Sequence, residues 1–410
     1  MKNREIGFSK TLFYLLGAVT TVQLLSIGGI TVFNIILMVT AIITFLIYIY
    51  CLKIDIFFVI SFIISLITLF SSICNETLTS GFKNSAIING FIYIVILIVY
   101  LTMNSNIKFA EKFIQGFKFS CKLTLFWCIL QVLLFYIFHL DLNYIFFGNM
   151  LKISDGVGDY YNGVLIPTGF YSHRAVLIPT LIFLFFSTKN ICIITLIIVV
   201  GLLTRSTALI IGLLLAVIFR LLIVLKQNFN KRISRRNVFL YLIILTAFAF
   251  LCFLFHSRIE ELFQYVIVRI TDSSSNKADN SSVVHFLYYK NLYPIMKNLN
   301  FHNILFGSGF GTSGLHFTNY SGQYANLSSW VVESDYVNIL LNQGVIGFVI
   351  WCYPFVKIII LSKRYEFWEN IAFILIIAFV GIMYNIQFSW FIISELAVLI
   401  LTKNKICIFK

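Results

Sequence analysis

Apolar residues along this chain neither alternate nor recur every third or fourth position; they run on without interruption. The stretch 30–50 reads "ITVFNIILMVTAIITFLIYIY", and comparable runs follow at 55–73, 87–103, 120–138, 206–225 and 238–255. A helix that crosses a bilayer needs about 20 apolar residues in a row. Counting every such run predicts about 12 spans, at 11–28, 30–50, 55–73, 87–103, 120–138, 174–187, 190–203, 206–225, 238–255, 337–362, 370–385 and 388–402. Those at 174–187, 190–203 and 388–402 are short, which suits broken or tilted helices. A membrane β-barrel would alternate apolar and polar positions, and these runs do not. The expected fold is therefore all-α and polytopic, a single membrane domain over 1–410. In the span at 206–225, Ala208, Gly212 and Ala216 recur four apart, a spacing that lets neighbouring helices approach closely.

Two connections are long, 139–173 and 256–336, and the second is too long to be passive. The second opens with "HSRIEELFQYVIVRI", whose Ile259, Leu262, Phe263, Val266 and Ile267 form a helical stripe suited to lying in the membrane interface. A polar stretch, 271–282, follows and reads as a mobile link. No repeat of fixed period recurs along the chain, which argues against a transporter built from duplicated halves.

Composition agrees with the pattern. Of 410 residues, 60% are hydrophobic, 44 are Phe and only 11% are ionised, more apolar surface than a soluble core could hide. The net charge of +14 comes from Lys and Arg gathered in connections on one side, above all "KQNFNKRISRR" at 226–236. Basic residues mark the cytoplasmic side, so both termini are placed there and the two long loops outside. The excess of positive charge is thus a signal of topology and not of a nucleic-acid partner. The opening "MKNREIGFSKTLFYLLGAVTT" lacks a small-x-small cleavage site and reads as a retained first span. The eight Cys are scattered through spans and connections, with no spacing for a disulfide framework or a metal site.

Against this apolar background the polar features of the outer segments stand out. "GSGFGTSG" at 307–314 contains Gly309, Gly311 and Gly314 in G-x-G-x-x-G spacing, but no strand-turn-helix unit surrounds it, so it is no dinucleotide fingerprint. Gly309 and Gly311 suit either a surface loop or a turn whose backbone approaches an anion or a glycan. Arg174, beside His173, stands at the mouth of a span, and Arg205 sits at the apex of a tight hairpin between two others. Arg258 and Arg269 flank the interfacial stripe. Arginines at this boundary either snorkel to headgroups or bind anions, for which their forked geometry suits diphosphate. The hairpin position of Arg205 favours an anionic partner. All six His fall at or beyond the outer boundary, without metal-ligand spacing; His302, five residues before the glycine run, and His173, beside Arg174, are the site candidates among them. Glu395 is a carboxylate deep within a span, either neutral and paired or on an ion path.

The re-entry segment "VVESDYVNILLNQGVIGFVIW" (331–351) carries Glu333 and Asp335 at the threshold of an apolar run, with Gly344 and Gly347 inside it. Ser334 or Asp335 suits the helix N-cap. Asp335, Asn338 and Asn342 then share one face of the helix. A membrane collar accounts for the carboxylates, while the polar stripe behind them points to a site, with Glu333 and Asp335 facing the same cavity as Arg205.

Three segments together, "LLTRSTALIIGLLLAV" (202–217), "NILFGSGFGTSG" (303–314) and "ESDYVNILLNQGVIG" (333–347), resemble bacterial repeat-unit polysaccharide polymerases of the O-antigen or capsule type, relatives of the O-antigen ligases. The resemblance covers roughly the second half of the chain; the first half agrees in hydropathy alone. It implies glycosyl transfer at the outer face of the bacterial cytoplasmic membrane, with polyprenyl-diphosphate-linked glycan as both donor and acceptor. It implies no metal, cofactor or nucleic acid, and it points to a flippase and chain-length regulators as partner proteins. By the same resemblance, arginines hold the leaving diphosphate, led by Arg205 and Arg174 with His173, Arg258 and Arg269 as further candidates. Glu333, Asp335 or His302 would take the acceptor proton. Glu333 stands eleven residues before Gly344, where the ligases carry His, a departure that favours polymerase over ligase. A flippase for lipid-linked oligosaccharide and the ligase itself are the alternatives.

Overall fold

The computed structural model describes residues 2–27, 30–74, 80–151, 159–161, 164–171, 176–204, 206–228, 280–318, 332, 334–384 and 389–409, and the architecture that follows concerns these. They form a helical bundle. Its helices are α1 (Lys2–Val19), α2 (Val32–Tyr48), α3 (Ile56–Cys74), α4 (Ser80–Ser105), α5 (Ile107–Phe138), α6 (Leu177–Ser187), α7 (Ile191–Leu203) and α8 (Thr207–Asn228). The long loop contributes α9 (Asn280–Asn298), α10 (Phe301–Phe306) and α11 (Ser313–Thr318). The chain closes with α12 (Asp335–Arg364), α13 (Trp368–Met383) and α14 (Ser389–Lys403). Two short antiparallel hairpins, β1–β2 (Ser26–Ile27 with Ile30–Thr31) and β3–β4 (Asp159–Tyr161 with Val164–Ile166), lie in connections.

Among the described residues, six helices are long and apolar enough to cross a membrane. Shorter apolar helices stand where α1, α6, α7 and α13 run, so the short spans read from the sequence are short helices in the fold. The span expected at 238–255 lies outside the described residues. Three boundaries differ from expectation. The first helix covers Lys2–Val19 and not 11–28, because the Thr20 and Thr21 hydroxyls turn to the Leu16 carbonyl and to Ser120 of α5 and a hairpin follows. The fifth begins at Ile107 and not 120, since Phe109, Phe113 and Phe117 bury one face of an amphipathic opening while Lys108 and Lys112 stay on the other. Residues 280–282 belong to α9 and not to a polar link.

One end of the bundle is tied by charge. Tyr100 of α4, fully buried, donates to the Asp55 carboxylate at 2.6 Å, and Lys403 of α14 pairs with the same carboxylate at 3.4 Å. The start of α3, the end of α4 and the end of α14 are thereby gathered together. Near the same end, Lys118 of α5 donates to the carbonyl of Ile408. Arg220 of α8 donates to the carbonyls of Phe185 and Thr188 at 2.6 and 2.7 Å, supplying donors that the last turn of α6 cannot find within itself.

The other end carries α9, α10 and α11 and is called the loop end below. Here the 139–173 connection is pinned by side-chain amides. Trp127 donates to Asn143 at 2.8 Å, Asn143 donates to the Gly169 carbonyl at 3.1 Å, and the Gly169 amide donates to Gln131 at 2.9 Å. Between the ends, the core is aromatic: Phe13 stacks on Phe109 with ring centres 4.9 Å apart, and Tyr171 on Trp390 at 5.8 Å.

Helix α12 is two helical pieces. Gly344 has φ 70° and ψ −173°, outside helical geometry. Residues 345–364 continue for about 30 Å at 1.5 Å per residue, enough to cross a hydrocarbon core unaided. The piece 335–343, about 13 Å by the same rise, is a separate polar-faced entry segment at the loop end.

Candidate functional site

The glycine-rich turn is seated inside the bundle. Gly307 follows α10 with φ 81°, and a β-carbon there would collide with the Asn342 carbonyl. Gly344 is its counterpart on α12, where a β-carbon would collide with the Leu305 carbonyl. Two backbones thus cross in contact, and only glycine fits either position. The crossing is stitched by the Ser308 amide to the Leu341 carbonyl at 3.0 Å and the Gly309 amide to the Asn342 carbonyl at 3.1 Å. These carbonyls lose their helical partners at the Gly344 break, so the turn satisfies what the kink exposes.

The polar stripe on 335–343 has the same purpose. Asn342 accepts from the Ser313 amide at 2.9 Å, and its side-chain nitrogen donates to Asn338 at 2.9 Å. Asn338 also accepts from the Ser313 hydroxyl at 2.6 Å. On its far side the turn meets the first half of the chain. The Phe310 amide donates to the Ser72 hydroxyl of α3 at 2.7 Å, and the Phe310 ring stacks on Tyr93 of α4 with centres 5.2 Å apart.

Asp335 is fully buried at the first position of α12. A β-carbon on Gly381 of α13 would lie 2.9 Å from its Oδ2, so the carboxylate occupies the space that glycine leaves. Ser334 holds the N-cap position but does not cap; its hydroxyl pairs with the Tyr289 hydroxyl at 2.7 Å, and Tyr289 donates onward to the Ile382 carbonyl at 2.6 Å. Tyr336 donates to the Ala378 carbonyl at 2.6 Å. Glu395 of α14 is buried as well, 3% exposed.

Of the residues singled out in the sequence, Asp335 is buried against Gly381 of α13. Gly309 is buried in the turn, and Gly311 has φ 75°, where a β-carbon would lie 3.8 Å from that of Ala86 in α4. His302 is exposed on α10, its ring 5.2 Å from that of Phe306. Arg205, Arg174, His173, Arg258, Arg269 and Glu333 lie outside the described residues. Sequence reasoning missed Tyr93 and Gly381, each one polar or small residue in an apolar run with no local signal. It also missed His316 of α11, whose Nε2 is buried with no hydrogen-bond partner, and burial lowers the pKa of this imidazole.

Among the described residues, no group of His, Cys, Asp and Glu could hold a metal ion. Residues 191–352 match the family model for O-antigen ligase, a segment that runs from α7 to the middle of α12 and includes the glycine-rich turn and Asp335. No curated protein matches the chain.

Proposed function

We propose, from the premise that residues 191–352 carry an O-antigen ligase family domain, that this membrane protein is a glycosyltransferase that polymerises polyprenyl-diphosphate-linked repeat units. The observation that supports the reading is the full burial of Asp335 at the start of α12, at the end of the bundle where the matched segment folds back through its glycine-rich turn. A buried carboxylate is a candidate for taking the proton of a substrate hydroxyl.

In the proposed reaction the acceptor sugar hydroxyl attacks the anomeric carbon of the donor glycan. A new glycosidic C–O bond forms as the C–O bond to the carrier diphosphate breaks. The hydroxyl proton passes to a carboxylate, Asp335 or Glu333, or to an imidazole such as His302, and the electron pair leaves with the diphosphate. Charge develops on that leaving group, so fixed cations beside it lower the barrier. Arg205 and Arg174 are assigned this role, with His173, Arg258 and Arg269 as further contacts and the Gly309–Gly311 turn holding the entry segment in place. The loop end faces the cell exterior in this reading, and a flippase and chain-length regulators act with the protein.

Complementation of a polymerase-deficient strain tests the assignment. Wild type restores long-chain glycan on a gel, while Arg205→Ala and Asp335→Asn leave single repeat units at the surface. Full-length glycan from both variants would overturn it. The ligase reading is favoured by the description of the matched family; it predicts that loss of the protein leaves full-length chains on the carrier.

A further inference from the structure

Helices α8, α12, α13 and α14 meet at the end of the bundle opposite the loop end, and the meeting point is both basic and aromatic. The turn between α12 and α13 is closed by two backbone bonds. The Phe367 amide donates to the Ser362 carbonyl at 2.8 Å and the Glu366 amide to the Lys363 carbonyl at 3.4 Å, with Glu366 at φ 58°. This is the Schellman way of ending a helix, and it fixes the chain on either side. Tyr365, Phe367 and Trp368 stand on or beside this turn, the first two with ring centres 5.9 Å apart. The Asn370 side-chain amide of α13 donates to the Thr402 hydroxyl at 3.0 Å, which holds the end of α14 alongside.

Two of these rings hold cations from separate parts of the chain. Lys226, at the end of α8, has its Nζ 3.5 Å from the centre of the Trp368 ring. Lys405, just past α14, lies 5.7 Å from the centre of the Tyr365 ring, and the Arg364 guanidinium 5.9 Å from the same centre. All three residues are exposed, as is Lys363 beside them. Among the described residues no carboxylate pairs with any of the four, while Lys403 nearby is held by Asp55. The acids of the turn are Glu366 and Glu369, two against four cations. A ring engages an ammonium or guanidinium from one side, so its other N–H donors stay open to an anion.

The level of these cations in the membrane says which anion. From Val345 the crossing piece of α12 reaches Arg364 in about 30 Å, and α8 runs about 27 Å from Ala208 to Lys226, by the helical rise. Both lengths match the thickness of a hydrocarbon core, so the cations stand where lipid phosphates begin. Tyr and Trp favour the same level. We propose that this junction binds the headgroup of an anionic phospholipid, whose phosphate oxygens accept from Arg364, Lys405 and Lys226. Bound there, the headgroup offsets the repulsion among cations that folding has gathered, and ties α8 to the α12–α13 turn and to the chain beyond α14. The surface is separate from the glycosyl-transfer site and holds whether or not that reading does.

The test titrates a short-chain phosphatidylglycerol into the full-length protein in neutral detergent and follows the rise in melting temperature. For wild type the rise is expected to saturate and to weaken with added salt, and phosphatidylcholine should give none. Lys226→Gln/Lys405→Gln should raise the half-saturating concentration about tenfold to thirtyfold, and Lys226→Arg/Lys405→Arg, which keeps both charges, should restore it. The control is Lys108→Gln/Lys112→Gln, which removes as much charge at the same end but from α5, outside the aromatic turn; it should leave the titration in place. An unchanged titration in Lys226→Gln/Lys405→Gln would overturn the proposal. So would an equal loss in the control, which leaves net charge alone as the cause, or an equal rise from inorganic phosphate, which makes the site one for free anions.

Discussion

The side-chain oxygen of Asn342 accepts the backbone amide of Ser313 at 2.9 Å. That bond joins the two polar features of the second half of the chain, the glycine-rich turn and the stripe on the entry segment. Each is the reason for the other. A stripe of amides on a membrane-entering helix would be costly without partners, and a turn of small residues would not hold a shape without acceptors.

Removing the acceptor should be felt at once. Asn342→Leu leaves the Ser313 amide and the Thr312 hydroxyl without this partner inside the protein, at about 1–3 kcal/mol for an unsatisfied buried group. The detergent-solubilised variant is expected to unfold at lower temperature than wild type, measured by thermal melting. Asn342→Asp keeps the acceptor oxygen but sets a second oxygen against the Asn338 acceptor in a buried position, so it too is expected to melt below wild type.

Gly344→Ala places a β-carbon on the Leu305 carbonyl in a backbone conformation that L side chains rarely adopt. Loss of folded protein in the membrane is expected, read by detergent extraction and size-exclusion profile. Gly7→Ala is the contrast: nothing lies within 4 Å of that site, so its profile should match wild type.

His316 gives the stability a pH dependence of known sign. Burial holds its imidazole pKa below the ordinary 6.5, so the unfolded chain binds the proton more readily than the folded one. The stability this imparts is full above pH 6.5 and declines as the pH falls from there toward the lower folded value. His316→Phe removes the group, and melting curves from pH 7.5 down to about pH 5 should show a smaller acid loss than wild type. An equal loss in both would refute the assignment.

At the opposite end, Tyr100→Phe removes the 2.6 Å bond to Asp55 while keeping the ring against Phe57, whose centre lies 5.4 Å away. The expected cost is about 1.5–3 kcal/mol, the range for a bond to a charged acceptor. Lys403→Met should cost less, because that pair is 29% and 27% exposed and solvent screens it. Chemical denaturation of both variants separates the two.

Much of the fold was legible in the chain alone, because hydropathy acts locally. A run such as Val32–Cys51 must form a helix if it is to enter a bilayer, whatever its neighbours do, since no water remains to satisfy its backbone. The short helices α6 and α7 were readable for the same reason: each is written in adjacent residues. What only the tertiary structure decided is which distant residues share a space. Nothing beside Gly381 in sequence marks it as a neighbour of Asp335, and nothing beside Tyr93 marks it as the ring on which Phe310 stacks. The polar stripe shows the same division. Its spacing put Asp335, Asn338 and Asn342 on one face, but helical periodicity says where side chains point and not what they meet. The folded chain assigned Asn338 and Asn342 to the turn and set Asp335 against Gly381, because the break at Gly344 freed carbonyls that only a second backbone, crossing at contact distance, could satisfy.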